Sequence, residues 1–358
     1  MDTSTSTGRP SLQDLLDRKW LVCPSCRELL MPSDENPQNL LCSTCGHEFL
    51  GRDGIVSLLP QNKDSIKEDI QAFWGELYGA AYAENDNKRA AAELNAQMPS
   101  LQALFRHREH LAAVEMDTKN LEGKTVLEIG SGAGAHSALF RWHGAHVIST
   151  DLTLSRVAAT TQKLQMVNGR GGFCCLQADA ERLPFADNLF DVVYSNGVLH
   201  HTPDTEGCIQ EVHRVLKPGG VAVIMLYAKH SFYYWFTIFF LKGLVLGNWF
   251  RHSNWLGRVT EWMSSAPQTR VNPETRVYSA KEIQHLFRSF SSFTLRKNSF
   301  QIQQIPVVGP RVSGVLGRRH GENSAGVLLY GHPWRNETPW ELAIGRWMGF
   351  CLNIKAVK

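Results

Sequence analysis

The chain has 358 residues, 43% of them hydrophobic and 20% charged, with a formal net charge of +3. These values fit a globular protein with a sizeable core and exclude a collagen-like or low-complexity chain. The charge is uneven: residues 276–358 carry twelve Lys/Arg against four Asp/Glu, which suits a solvated face, an acidic substrate, nucleic acid or an anionic membrane.

The first ten residues are polar and Ser/Thr-rich, without the apolar run of a secretory signal, so residues 1–17 are expected to be a disordered tail. Residues 18–60 form a cysteine module. Cys23-Pro24-Ser25-Cys26 and Cys42-Ser43-Thr44-Cys45 are separated by 15 residues, a C-x2-C-x15-C-x2-C spacing within the zinc-ribbon range. Two tight turns each offering two thiolates close a tetrahedral Zn2+ site from Cys23, Cys26, Cys42 and Cys45. With no open position the metal is structural rather than catalytic. His47 is the alternative to Cys45. The other cysteines (174, 175, 208 and 351) lie in or beside apolar runs, as small buried hydrophobes do. That usage, without a secretory signal, fits a reducing cytoplasm.

Residues 61–120 are rich in Ala, Glu, Gln, Lys and Leu and read as a helical cap anchored by Phe73, Trp74, Tyr78, Leu101, Leu104 and Phe105. Residues 121–228 alternate short β runs with helical patterns, the mark of a parallel α/β sheet. Strands are expected at 125–129, 146–150, 173–177, 190–195 and 221–227, with helices near 135–143, 153–167 and 203–216. In the last helix Cys208, Val212 and Val215 make one buried stripe, and Lys217-Pro218-Gly219-Gly220 stops it. The first strand opens into Gly130-Ser131-Gly132-Ala133-Gly134, where glycines let backbone turn tightly against a ligand. By spacing alone this loop fits both the dinucleotide fingerprint and the loop of methyltransferases. Its context decides. Glu128 precedes the loop inside the strand, where a carboxylate suits an ammonium and would repel a pyrophosphate. Asp151 stands 21 residues after Gly130 at a strand tip, placed for ribose hydroxyls. Asp179 ends the third strand, and Asn196 to His201 form a polar turn after the fourth.

Val126–Gly134, Asp151, Asp179-Ala180, Leu183-Pro184-Phe185, Phe190–His201 and Arg214–Gly220, taken in order, resemble the class I S-adenosylmethionine (SAM)-dependent methyltransferases, most of all the ubiquinone/menaquinone-type and small-molecule group. The resemblance covers residues 121–228. It implies a Rossmann-like seven-stranded sheet with the last strand antiparallel. It also implies that Glu128, Gly130, Ser131, Gly132 and Gly134 line the methionine and ribose part of SAM. Asp151 would hold the ribose with Leu152 against adenine, Asp179 and Ala180 would contact the adenine edge, and Asn196 and Gly197 would face the methionine. His201, with His200 beside it, is the candidate base for an acceptor that must lose a proton, while Asp204 reads as a helix start. The module at 18–60 is similar to zinc ribbons of the Trm112-like kind. Its four Lys/Arg against five Asp/Glu make it a poor RNA footprint, so a ribbon that packs on the catalytic domain is expected.

Residues 229–275 read as a helical, aromatic lid insertion running from Phe232 to Trp262. Its apolar run 232–250 is marginal for a membrane span; a lid-like helix pair is expected, with peripheral lipid contact as a second possibility. Residues 276–358 should complete the sheet, with a helix at 279–290 capped by Ser279, a strand near 293–300, an irregular stretch and a final strand near 350–357. The reading is a SAM-dependent methyltransferase acting on a small, aromatic or lipophilic acceptor. The alternatives are an RNA methyltransferase, a non-catalytic SAM-binding or partner-docking protein, and a nicotinamide dehydrogenase.

Overall fold

The computed structural model describes residues 11–61, 64–86, 90–261 and 269–358, with residues 80–86 as backbone alone; Trp262 and residues 1–10 lie outside the described residues. The first element among the described residues is helix α1 (Leu12–Asp17), which lies inside the stretch 1–17 expected to be a disordered tail. Ser11 and Asp14 form a capping box, and Leu15 just after it is wholly buried, which fixes this turn against the core. The ribbon follows as β1 (Leu30–Pro32), β2 (Leu40–Cys42), β3 (Glu48–Phe49), β4 (Gly51–Arg52) and β5 (Ile55–Leu58). Three cap helices come next: α2 (Ser65–Asp86), α3 (Ala91–His107) and α4 (Leu111–Val114).

The α/β core runs β6 (Thr125–Ile129), α5 (Ala135–Trp142), β7 (His146–Asp151), α6 (Leu154–Met166), β8 (Phe173–Ala178), β9 (Phe190–Asn196), α7 (Thr205–Val215) and β10 (Leu216–Tyr227). All five β6 residues are buried, as expected of a parallel strand covered on both faces. In α7 the Cys208, Val212 and Val215 stripe is buried with Ile209, and Asp204 caps the helix by accepting from the Gly207 amide at 2.8 Å. The chain enters β10 directly, and Lys217 to Gly220 sit in a register shift between Leu216 and Val221.

Beyond β10 lie a π-type helix (Tyr233–Val245), α8 (Asn248–Arg251), α9 (Trp255–Thr260) and α10 (Ala280–Leu286). They are followed by β11 (Ser292–Asn298), α11 (Val308–His320), β12 (Glu322–Asn323), α12 (Val327–Tyr330), β13 (Trp334–Arg335), α13 (Pro339–Met348) and β14 (Cys351–Val357). The stretch between β11 and β14, expected to be irregular, therefore holds helices. The Thr338/Glu341 capping box with Pro339 in the first turn starts α13, and buried Glu341 also receives Arg335 at 2.6 Å.

The main sheet has the order β11-β14-β10-β9-β6-β7-β8-β5-β4. Seven of its strands, β11 to β8, form the Rossmann-like class I methyltransferase sheet. Its β14 is antiparallel to both neighbours, with Val357 opposite Val221 on β10 and opposite Ser292 on β11. The ribbon supplies the other two. β5 runs parallel to β8 through Ser57–Gln177 and Leu58–Ala178, and Leu30, Leu40 and Phe49 share one core with Phe185, Phe190 and Val212. Arg27 reaches buried Glu211 at 2.7 Å, and Glu211 also accepts from the Leu183 amide at 3.0 Å. The ribbon is thus welded to the sheet edge.

Candidate active site and metal centre

A cavity opens at the C-terminal ends of β6, β7, β8 and β9, where ligands of open α/β sheets sit. Its floor is the glycine loop. Gly130 has φ +76°, and a Cβ there would lie 2.2 Å from a Val198 methyl. Gly134 has φ +72°, and a Cβ would lie 3.0 Å from the Thr160 backbone. Only glycine fits both places. The Asp151 carboxylate accepts the Gly132 amide at 3.0 Å and the Thr153 amide at 2.8 Å, which leaves lone pairs on both oxygens. Burial pushes its pKa above the usual aspartate value, against the pull of the Thr153 and Gly132 amides.

Of the residues expected here, the cavity is lined by Gly130, Gly132, Asp151, Leu152, Asp179, Ala180, Gly197 and His201. Glu128, Ser131, Gly134, Asn196 and His200 are not among its lining residues. Glu128 is buried beneath the loop, where it accepts from Ser137 and lies 3.5 Å from His136; a strand-interior position turns its side chain toward α5. Ser131 is engaged with Thr160 at 3.0 Å. Asp179 holds Lys67 of α2 and the Glu181 amide.

The roof comes from α2. Ile70, Trp74 and Tyr78 line the cavity, and Gln71 donates to the Leu152 carbonyl at 3.1 Å. The aromatic insertion packs instead on itself and on Phe350 and Tyr227, and it meets the site at the edge through Glu261. These aromatics of α2 read in sequence as core anchors, and nothing local marks them as a roof.

At the cavity wall His201 Nδ1 faces the Glu274 carbonyl at 3.0 Å, with the Asn272 side-chain amide also 3.0 Å from it. Its Nε2 lies 3.6 Å from a Glu261 carboxylate oxygen, and that oxygen accepts the Tyr227 hydroxyl at 2.7 Å. Burial lowers the His201 pKa, while Glu261 and the Glu274 backbone raise it. His200 is different. It is fully buried, its ring centroid 3.8 Å from that of Tyr227 at a tilt of 37°, with both ring nitrogens unpartnered. Burial, then His201, drives its pKa far below the ordinary value, so it packs as a neutral ring. Sequence reasoning missed Glu261 and Lys67; both reach the site from elements whose packing no local signal reveals.

In the ribbon the four thiol sulfurs of Cys23, Cys26, Cys42 and Cys45 lie within 4.8 Å of one another, with Cys23–Cys45 at 3.7 Å and Cys26–Cys42 at 3.4 Å. A tetrahedron with metal–sulfur bonds of about 2.3 Å has edges of about 3.8 Å, so the set fits Zn2+. Burial opposes ionisation of Cys42, yet the Cys45 and Thr44 amides and the Cys26 thiol bring it down to about 7. His47 stands outside the cluster, against Gln61 and Phe49.

Residues 127–224 match the methyltransferase domain family. The chain is 34% identical over 177 residues to cycloartenol-C-24-methyltransferase 1 of Oryza sativa subsp. japonica, covering 49% of this chain and 47% of that protein. It is 33% identical over 114 residues to the ubiquinone/menaquinone biosynthesis C-methyltransferase UbiE of Haemophilus ducreyi, covering 31% and 44%. Among solved structures, a SAM-dependent methyltransferase from Methanosarcina mazei aligns at TM-score 0.43 and 16% identity over 67% of this chain and 94% of that one. The chain spans about half the length, or less, of the curated relatives it matches. The matched region, 127–224, is the one that carries the glycine loop, Asp151, Asp179 and His201.

Proposed function

We propose that this protein is a SAM-dependent methyltransferase acting on a small lipophilic acceptor. The observation that carries the reading is the glycine-floored cavity lined by Asp151 and Asp179 together with Trp74, Tyr78 and His201. Asp151 has acceptor capacity left for two ribose hydroxyls, and Leu152 and Ala180 offer apolar faces to an adenine. A Cβ at Gly132 would meet only the Tyr78 side chain, 3.7 Å away, so the bare loop there leaves room for a ligand lying against backbone. Bound SAM supplies a methyl group already activated by its sulfonium, so no further activation of the donor is needed. The chain then has to align the acceptor with the methyl and keep out water, which the roof of α2 does.

Where the acceptor carries a proton, we take His201 as the base, a reading supported by its position in the cavity lining. The Glu274 carbonyl can only accept, so we assign the hydrogen to Nδ1 and the lone pair to Nε2, with the Asn272 amide donating instead to Thr275 Oγ1 at 3.1 Å. The acceptor's X–H bond breaks with its proton passing to Nε2, the X–methyl bond forms, and the methyl–sulfur bond breaks with its pair going to sulfur. Glu261, held by Tyr227, then faces an imidazolium and stabilises it. Glu128 acts beneath the loop as a support rather than as a direct contact. The Cys23, Cys26, Cys42 and Cys45 ribbon, similar to the Trm112-like kind, holds a structural Zn2+ and stiffens the sheet edge. With four cysteines as metal ligands and the other four in or beside the core, a reducing, cytoplasmic setting is part of this proposal. A lipophilic acceptor is supported by the names of the relatives, which refer to cycloartenol and to ubiquinone and menaquinone synthesis.

The test is methyl-labelled SAM incubated with the protein and either total lipid extract or total RNA. Label in the organic phase supports this reading. Label in RNA alone transfers the activity to the RNA alternative.

A further inference from the structure

The insertion between β10 and Glu261 buries one face and leaves another bare. Tyr234, Ile238 and Val259 are buried against Phe350, while Trp235, Phe236, Phe240, Leu246, Trp249 and Phe250 stay exposed, Phe250 by 75% and Leu246 by 57%. Six large apolar side chains within sixteen residues form a patch far beyond scattered surface hydrophobes. The adjoining stretch adds Val307 and Val308, both exposed, close to where Thr237 donates to the Gln304 carbonyl.

The charges within the patch segment have one sign, and the acid that follows it, Glu261, turns inward to Tyr227 and His201. Residues 229–260 contain Lys229, Lys242, Arg251 and Arg258 and no Asp or Glu. Arg251 and Arg258 make no ion pair among the described residues. Lys242 turns inward to the Val259 carbonyl at 2.8 Å. No helix of the described residues is long and apolar enough to cross a membrane, since the π-type helix stops after 13 residues and the chain turns at Gly247 with φ +73°. Aromatic and aliphatic side chains on a short helix pair, flanked by free cations without acids, match the interface of an anionic bilayer: the rings enter the headgroup boundary and the arginines meet lipid phosphates.

We propose that residues 235–251 dock this protein on an anionic lipid surface. The occupant is the bilayer itself. A second copy of the chain would bring the same unpaired cations face to face, whereas anionic headgroups neutralise them. The patch is also joined to the site. Tyr227 at the start of the insertion and Glu261 at its end are hydrogen-bonded to each other beside His201, so docking here sets the cavity edge next to the membrane, where a lipophilic acceptor is dissolved. That link rests on the proposed methyl transfer; the docking itself does not.

The experiment is co-sedimentation of the full chain with phosphatidylcholine vesicles, with and without about 30 mol % phosphatidylglycerol. Binding to the anionic vesicles is expected, weakening as salt shortens the Debye length from about 10 Å at 0.1 M to about 3 Å at 1 M. Leu246→Ser/Phe250→Ser, at exposed positions that leave the fold intact, should weaken binding by about tenfold or more. Arg251→Glu/Arg258→Glu should abolish the preference for phosphatidylglycerol. Equal, salt-insensitive partition of all three proteins, no binding to either vesicle, or a wild-type dimer that the Leu246/Phe250 variant converts to monomer would each overturn the proposal. No outcome depends on turnover, so a failure here is distinct from a failure of methyl transfer.

Discussion

Replacing Asp151 by Asn separates holding the loop from holding a ligand. The carboxylate now accepts two backbone amides, from Gly132 and Thr153. An asparagine keeps one acceptor and turns its amide nitrogen toward the other N–H, so one charge-assisted bond worth about 1.5–3 kcal/mol is lost. Against that stands the burial of the carboxylate, which outweighs the two amides, since the pKa of Asp151 lies above its ordinary value. The two effects offset, and the expected stability change is within about 1 kcal/mol, a shift in Tm of under about 4 °C. Binding has no such offset. A charged acceptor for two ribose hydroxyls becomes a neutral one for a single hydroxyl, and affinity should fall by about 1.5–3 kcal/mol, roughly 10- to 150-fold in Kd. Calorimetric titration with S-adenosylhomocysteine reads this without any acceptor, alongside a melting curve. Because the raised pKa protonates Asp151 at higher pH than an ordinary aspartate, wild-type affinity should also fall early on acidification, while the variant stays flat. An unchanged Kd would refute the ribose role. A collapse of Tm by more than about 10 °C would show that the carboxylate serves the loop first.

The Glu261→Gln variant removes the charge that raises the His201 pKa. The acid limb of the kcat/KM profile should move to lower pH and the plateau rate should fall, while His201→Ala should cost about 10²-fold or more; an unmoved limb would leave Glu261 a structural role only. The Cys42→Ser variant should lose the single Zn2+ by elemental analysis and about 10 °C or more of Tm, because Cys42 and Cys23 sit inside the shared core; retained folding with lost activity would contradict a structural metal. At the ribbon junction, burial raises the Glu211 pKa, but Arg214 and Arg27 lower it further, to a net value below 4.5. Its stabilisation is therefore present above about pH 4.5 and is lost as pH falls through the depressed value. The Glu211→Gln variant should lose about 3 kcal/mol at neutral pH, at the lower end for a buried pair because Arg27 is half-exposed, and its acid unfolding should be flatter in urea titrations across pH.

The α/β core was legible because period, turn residues and glycine spacing agree along 121–228. The strand at Thr125–Ile129 and the helix stripe at Cys208, Val212 and Val215 stand where pattern alone puts them. The four-cysteine cluster was legible for the same reason: its spacing is a local constraint. The roof was not. Trp74 and Tyr78 have the spacing of any buried helix face, and only the tertiary path of α2 turns them toward the cavity. Lys67 meets Asp179 across 112 residues, and His201 meets Glu261 across 60; no pattern within either segment encodes the pairing. Ile55–Leu58 reads as a strand, but its parallel partner β8 is a long-range choice. The helices between β11 and β14 are a different matter. Thr338-Pro339-Trp340-Glu341 is a capping signal present in the sequence, and the polar, glycine-rich run around it masked it.

The most direct measurement of the central claim is a parallel titration of the wild-type chain with S-adenosylhomocysteine and with NAD. The account predicts one S-adenosylhomocysteine bound per chain, lost in competition with SAM, and no heat from NAD. One NAD bound per chain with no response to S-adenosylhomocysteine would contradict it.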